Sequence, residues 1–147
     1  MSIRLAVVHA DDLGMDRADH PADGRRLELE VDLARESGVL DGPGVVMLAA
    51  PGPMPDEQLA PMFAPAFIRA IEVFGARPVL TAAREACQWG VTPDVQPYAH
   101  IHRESARLAA AASLAGRMVG EGRAVQAIVP AGAAHHGLPH KRNGFGV

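Results

Sequence analysis

The distribution of apolar residues along the chain predicts buried strands that alternate with amphipathic helices. Three short apolar runs, at 3–9, 45–48 and 124–129, have the length and the β-branched content of buried strands. After the first run, apolar residues recur at helical spacing from Arg25, and Gly38 is a typical helix stop. Strands that alternate with helices are typical of a parallel sheet. The pattern therefore predicts an α/β protein in which 3–9 and 124–129 lie parallel in one sheet.

Further helical segments are predicted between the second and third strands. Asp56 can cap a short helix, and another helix can start at Ala64 and run to Val73, because a proline is tolerated in the first turn. A helical piece is expected within 80–89. The segment 104–119 is the clearest helix, because its alanines have high helix propensity and allow close approach to a sheet.

The composition is that of one soluble globular domain. The 147 residues are 48% hydrophobic and 21% charged, which is enough apolar material for a sizeable core. The formal net charge of −3 offers no broad basic surface, so no nucleic-acid partner is expected. The single cysteine, Cys87, excludes an internal disulfide and a thiolate metal cluster. We expect it to be a small buried apolar residue.

The sequence shows no export signal and no membrane span. The apolar run that follows Ser2 is too short for the core of a signal peptide. The alanine-rich stretch 106–115 is interrupted by Arg107 and Ser113, and it is too short to cross a bilayer. We therefore expect a cytoplasmic protein without a membrane partner.

An adjacent histidine pair, His135 and His136, follows the last predicted strand in a glycine-rich segment. Open α/β sheets place their chemistry at strand ends, and imidazole exchanges a proton near neutral pH. From these residues alone, a proton-transfer pair and a solvated loop that holds two histidines both remain open. The other histidines, His9 and His102 among them, are expected to be loop or helix-cap residues.

The residues around the pair resemble the signature of zinc-dependent histone deacetylases. Residues 135–139 read His-His-Gly-Leu-Pro, and Gly144 and Phe145 follow at the spacing of that family. The segment is most similar to the bacterial acetoin-utilisation branch, where a His-His-x-x-Pro stretch precedes Ser-Gly-Phe-Cys. Asn143 and Gly146 stand at the Ser and Cys positions. The resemblance implies a three-layer arginase–deacetylase fold with a parallel sheet.

Earlier segments are similar to the same branch. His20-Pro21 precedes Arg26 at the family's spacing, and residues 38–45 read Gly-Val-Leu-Asp-Gly-Pro-Gly-Val, close to the family's Gly-Leu-Leu-Asp-Gly-Pro-Gly-Val. Asp94 falls on the family's loop aspartate. At 63–67, however, Phe-Ala-Pro-Ala-Phe replaces the family's His-Asp-Pro-x-Tyr, so the polar groups at Phe63, Ala64 and Phe67 are lost.

The resemblance implies an amide hydrolase that acts on acetyl-lysine in a protein or on a related small acylamine. His135 and His136 would be the catalytic residues that face the water activated by zinc. One would act as general base, while the other would support the charged intermediate or protonate the leaving amine.

The resemblance also implies roles for four other residues. Gly144 and Phe145 would line the substrate tunnel, and Asp94 would accept hydrogen bonds from the substrate backbone at its rim. Arg26 would lie deep in a cavity of the sheet, in the product channel, where its guanidinium attracts the leaving acetate.

The family's zinc ligands, an Asp-x-His element and a later Asp, lie downstream of Gly-Phe and thus beyond Val147. We therefore expect residues 1–147 to be the N-terminal part of a single deacetylase domain. Zinc would be the cofactor of the full-length protein, whereas this chain would carry no metal ligand, bind no zinc tightly and be inactive by itself. An uncovered sheet would favour oligomers.

Two alternatives stay open. Residues 10–14 read Ala-Asp-Asp-Leu-Gly and resemble the start of the YdjC-like carbohydrate deacetylases, which are metal-dependent. In that family an aspartate at the end of the first strand contacts the metal, and Asp12 would be its counterpart, although His9 replaces the leading asparagine. The other alternative is a non-catalytic binding fragment or pseudoenzyme, which the absence of the family's metal ligands would favour.

Overall fold

The protein has an α/β fold built on a three-stranded parallel sheet. The computed structural model describes residues 3–14, 24–76, 83–91, 98–132 and 137–143. Its strands are β1 (Ile3–His9), β2 (Val45–Ala49) and β3 (Ala124–Ile128), in the order β2-β1-β3. Leu5 lies opposite Val45, and Ile3 lies opposite Ala124, in parallel registers. The predicted parallel pairing of the first and last apolar runs is confirmed.

Five helices accompany the sheet within the described residues. They are α1 (Gly24–Glu36), α2 (Asp56–Leu59), α3 (Pro65–Ala76), α4 (Ala83–Gln88) and α5 (Ile101–Gly120). None of them combines the length and the apolar character that a membrane span requires. The described residues establish the sheet and these helices, while the arrangement of three layers stays a prediction.

The chain divides into two compact units. The first, unit 1, comprises Met1–Gly52 and Arg107–Gly132, and the second, unit 2, comprises Pro53–Ala106 and Ala133–Val147. The boundary falls within α5, so this helix contributes residues to both units. That residues 1–147 belong to a single larger domain stays a prediction.

Unit 1 is built around β1. Ala6, Val7 and Val8 are successive residues of this strand, and each is at most 1% exposed. Side chains of a strand alternate between faces, so the strand is covered on both sides, as is usual for the centre of a parallel sheet. On α5, Ala111 and Ala115 pack in one cluster with Val8. Their short side chains allow α5 to lie close to the sheet.

Unit 2 has a core of its own, centred on α3. Phe67, Ile71 and Phe74 are buried on this helix, at the spacing that places residues on one face. They form a cluster with Ile101 at the start of α5, and the Trp89 ring lies 6.3 Å from the Phe67 ring. Phe63 packs against the same cluster, and its ring lies 6.4 Å from the Phe67 ring.

The helix ends show where local sequence signals succeed and fail. Gly38 stops α1 as predicted, with a φ of 74° that suits glycine. Asp56 is not a cap, because Pro55 occupies the cap position and Asp56 lies in the first turn of α2. There its charge still favours the helix N-terminus. The helix α5 begins at Ile101, three residues before the predicted start at Glu104.

The expectation that Cys87 is buried is wrong, because its side chain is exposed. It lies on the six-residue helix α4. The neighbouring Ala86, only 3% exposed, takes the buried position and joins the core of unit 2. In so short a helix, apolar periodicity does not predict which side faces the core, and a shift of one residue exchanges the buried and the exposed side chain.

Candidate functional site

The carboxyl ends of the strands are the natural place for a site in unit 1. The strands are parallel, so β1, β2 and β3 all end at the same edge of the sheet. β1 leads there into Ala10, Asp11 and Asp12, and the chain that carries the histidine pair leaves the same edge after Ile128. The predicted site residues His135, His136, Asp94, Gly144 and Phe145 lie outside the described residues, so their roles stay predictions.

His9, the last residue of β1, is a buried polar residue at this edge. It is 6% exposed, and its Nε2 lies 3.5 Å from Oδ1 of Asp11. Its Nδ1 is buried and has no hydrogen-bond partner among the residues that the structure describes. Asp11 is largely exposed and also lies 4.0 Å from the Arg35 guanidinium of α1. His9 is the last residue of the strand predicted over 3–9, so the separate expectation that it is a loop or cap residue is wrong.

Asp12 makes a bidentate contact with Arg107 of α5. Nη1 of Arg107 donates to Oδ2 at 2.6 Å, and Nη2 donates to Oδ1 at 2.9 Å. Nη1 also lies 3.3 Å from the backbone carbonyl oxygen of Asp12. The hydrogen bonding of its guanidinium to the Asp12 carboxylate, together with the negative charge of that carboxylate, raises the pKa of Arg107 above its ordinary value, against the opposing effect of burial.

The Asp12–Arg107 pair bears on the metal-binding alternative. Both carboxylate oxygens of Asp12 accept hydrogen bonds from the guanidinium, and the positive charge of Arg107 so close to them disfavours a metal cation at the same carboxylate. Among residues 3–14, 24–76, 83–91, 98–132 and 137–143, no group of three or more His, Cys, Asp or Glu could hold a metal ion. The described residues therefore do not form a zinc site.

Arg26 does not occupy the buried position expected of a product-channel residue. Its side chain is 68% exposed, and its Nε donates to Oε1 of Glu30 at 2.8 Å, one helical turn further along α1. The buried face of α1 is formed by Leu27 and Val31, and Arg26 points away from it. A role for Arg26 in product release stays a prediction.

The residues that directly follow the histidine pair belong to unit 2 and are held by backbone contacts. The backbone N–H of Arg142 donates to the Trp89 carbonyl oxygen at 2.8 Å, and Arg142 is only 3% exposed. The backbone N–H of Ala64 donates to the Pro139 carbonyl oxygen at 2.7 Å. Leu138 and Lys141 form a short bridge within the segment. No sequence pattern predicts a buried arginine here, because two adjacent basic residues, Lys141 and Arg142, are typical of an exposed segment.

A second histidine contact also escaped prediction. His102 lies in the first turn of α5 rather than in a loop, and its Nε2 is 3.1 Å from Oδ1 of Asp56. The backbone N–H of Met54 donates to the Ala106 carbonyl oxygen at 3.0 Å, which joins the same two segments of unit 2. The two contacts bring the start of α2 and the first residues of α5 together within unit 2.

Comparison with known proteins gives a likeness of fold. No family model matches the chain, and neither does any curated protein sequence. Among the solved structures similar to it is the crystal structure of the HDA15 HD domain, with a TM-score of 0.74 and 16% sequence identity. That domain is a histone deacetylase domain. The match covers 97% of this chain but only 39% of that chain. At this identity the likeness shows a fold similar to that of histone deacetylases, and no more.

Proposed function

We propose that this chain supplies the acid/base histidines of a zinc-dependent amide hydrolase that cleaves acetyl-lysine or a related acylamine. One combined observation supports the proposal. The His-His-x-x-Pro sequence at 135–139 follows β3, a strand that lies beside β1 in a sheet whose fold is similar to a histone deacetylase domain. The sequence signature and the fold likeness thus point to the same class of enzyme.

In this proposal the two histidines move protons while the amide bond is exchanged for water. One imidazole accepts a proton from the attacking water as the new C–O bond forms, and the other donates a proton to the amine as the C–N bond breaks. The products are a carboxylate and a free amine. Zinc, when bound, lowers the pKa of the attacking water and polarises the acyl carbonyl.

Three more residues complete the proposed substrate site. Phe145 packs against the methylenes of the acylated side chain, and Gly144 leaves room for their approach. Asp94 accepts hydrogen bonds from the backbone of the substrate. The zinc ligands are proposed to lie in sequence outside residues 1–147, because the chain spans only 39% of the similar histone deacetylase structure.

The test uses the product of the whole reading frame that encodes this chain. We expect it to contain zinc by mass spectrometry and to hydrolyse an acetyl-lysine peptide or an acetylated diamine. His136→Ala should lower kcat by about 10²–10⁴-fold, the usual contribution of a positioned acid/base group. His140→Ala is the matched control, because His140 lies exposed in a turn of the same segment, and it should keep the activity. An active product whose kcat is unchanged in His136→Ala would refute the proposal.

Asp12→Ala separates the proposal from its two alternatives. Hydrolysis of acetylated sugars that is lost in Asp12→Ala but kept in His136→Ala would support a carbohydrate deacetylase of the YdjC-like kind. A folded product without zinc and without activity on either substrate class would support a non-catalytic binding protein.

A further inference from the structure

We infer that Gly90 is a positioning residue for the histidine pair, because it lets the segment that follows the pair lie against the 89–90 turn. The inference rests on the proposed function for the role of the histidines. It rests on unit 2 alone for the contact itself, which involves Gly90 and residues 137–143.

The contact leaves no room for a side chain at position 90. Gly90 has a φ of 77°, which already disfavours any residue with a Cβ. A Cβ placed there would overlap the carbonyl oxygen of Arg142, and it would lie 2.7 Å from the carbonyl carbon and 3.1 Å from Cα of the same residue. All three atoms belong to the backbone, so no side-chain rotation can relieve the overlap. One of the two segments would have to move.

The 137–143 segment is fixed at more than this point. The Arg142 N–H binds the Trp89 carbonyl oxygen, the Pro139 carbonyl oxygen accepts from Ala64, and the Arg142 side chain is buried. Gly137 directly follows His136 in the chain. A displacement of this segment therefore acts on the covalent anchor of the pair. Misplacement of a reacting group by about 1 Å can cost 10²-fold in rate, so such an anchor matters to catalysis.

Gly122 provides a matched control for Gly90. It also has a positive φ, 67°, but a Cβ at that position meets no atom within 4 Å. Alanine at either glycine introduces a similar backbone strain, whereas only alanine at position 90 adds the overlap. The difference between Gly90→Ala and Gly122→Ala thus measures the close approach.

The first measurement is hydrogen exchange of the backbone amides, which needs no activity. In the parent protein we expect the Arg142 amide to be protected, since it donates to Trp89. Protection should fall at least tenfold in Gly90→Ala and stay unchanged in Gly122→Ala. An unprotected Arg142 amide in the parent, or equal protection in both variants, would overturn the inference.

The second measurement is the pH–rate profile of the full gene product. We expect kcat of Gly90→Ala to fall at least tenfold below that of Gly122→Ala. We also expect the acidic limb of its pH–rate profile, which reports the titration of the general base, to be displaced or lost. A mere loss of folded protein would scale the rate equally at every pH. Equal kcat in the two variants, or a lower kcat with an unchanged profile, would overturn the positioning role.

Two further arms keep the outcomes distinct. If Gly90→Ala does not fold, Arg142→Ala removes the buried side chain instead, and Lys141→Ala at the exposed neighbour is its control. Arg142→Ala should show the same loss of amide protection and of kcat, whereas Lys141→Ala should show neither. Protection that behaves as expected in a parent without hydrolase activity would refute the proposed function while leaving the contact at Gly90 established.

Discussion

The bidentate pair between Asp12 and Arg107 should be a measurable source of stability in unit 1. The two residues are 95 positions apart and join the turn after β1 to α5. Arg107 is 15% exposed, whereas Asp12 is 75% exposed. The perturbation is a double-mutant cycle with Asp12→Ala, Arg107→Ala and the combined variant, which isolates the coupling between the two side chains from the other effects of each substitution.

The expected coupling energy is about 1–2 kcal/mol. Hydrogen bonds to charged groups contribute about 1.5–3 kcal/mol, and two short ones are present here. The exposure of Asp12 screens the charge interaction, which lowers the value towards the range of surface pairs, about 0–1 kcal/mol. Asp12→Ala alone should cost more than Asp12→Asn, because the amide keeps an acceptor for one of the guanidinium donors.

Urea denaturation followed by circular dichroism gives the free energy of unfolding for each variant. The pair of Asp32 and Arg35 on α1 is the control, because it makes a single 3.1 Å contact between half-exposed side chains. Its coupling should be about 0.3–0.5 kcal/mol and should fade in high salt, while that of the bidentate Asp12–Arg107 pair should fall less.

The pH dependence of the coupling has a defined sign on the arginine side. The pKa of Arg107 is raised in the folded protein. The contribution of the charged arginine to stability is therefore fully present below its pKa in the unfolded chain, and it is lost only as the pH rises through its pKa in the folded protein. The coupling should therefore not decline between pH 7 and 10. A coupling below 0.3 kcal/mol, or one that disappears over this range, would refute the reasoning.

Two more predictions concern the packing of α5 and the exposed side chains of β3. Ala111→Leu should destabilise the protein by about 1–3 kcal/mol because Ala111 is fully buried beside Val8, whereas Ala112→Leu at an exposed position should cost almost nothing in the same urea assay. Val125→Lys should reduce self-association in analytical ultracentrifugation, because Val125 is 65% exposed on β3. Gln126→Lys adds the same charge without removing apolar surface, and an equal reduction in that variant would contradict the role given to the exposed valine.

The central strand and the longest helix could be predicted from sequence because their signals are local. The apolar pattern predicts a first strand over 3–9, and the strand is observed as Ile3–His9. Its apolar run is uninterrupted and ends in polar residues. The helix α5 starts earlier than the pattern predicts: His100, just before it, has a left-handed conformation with a φ of 67°, and its carbonyl oxygen accepts from the Glu104 N–H. Residues other than glycine adopt this conformation uncommonly, so the sequence pattern does not indicate it, and the next residue, Ile101, is buried.

The candidate site was harder to predict because its described contacts are long-range. The histidine signature could be recognised from residues 135–139, but the pairing of Asp12 with Arg107 depends on how β1 and α5 meet, which neither segment encodes alone. The exposure of Arg26 likewise follows from which face of α1 is buried. The contact of Gly90 with Arg142 left no pattern in the sequence, since a glycine in a turn is common and its backbone neighbour is set by the fold.

The central place of β1 has a consequence for the order in which the chain folds. Leu5 pairs with Val45, but Ile3 pairs with Ala124, and these pairs are 40 and 121 positions apart (45 − 5 and 124 − 3). A ribosome that adds about 5–20 residues per second needs roughly 4–16 s between the synthesis of Val45 and that of Ala124. During that interval one edge of β1 has no partner strand, and the apolar side chains on its two faces are not yet fully covered. Nascent chains of this protein should therefore bind holdase chaperones until β3 emerges, and substitutions that weaken β3 should prolong that association.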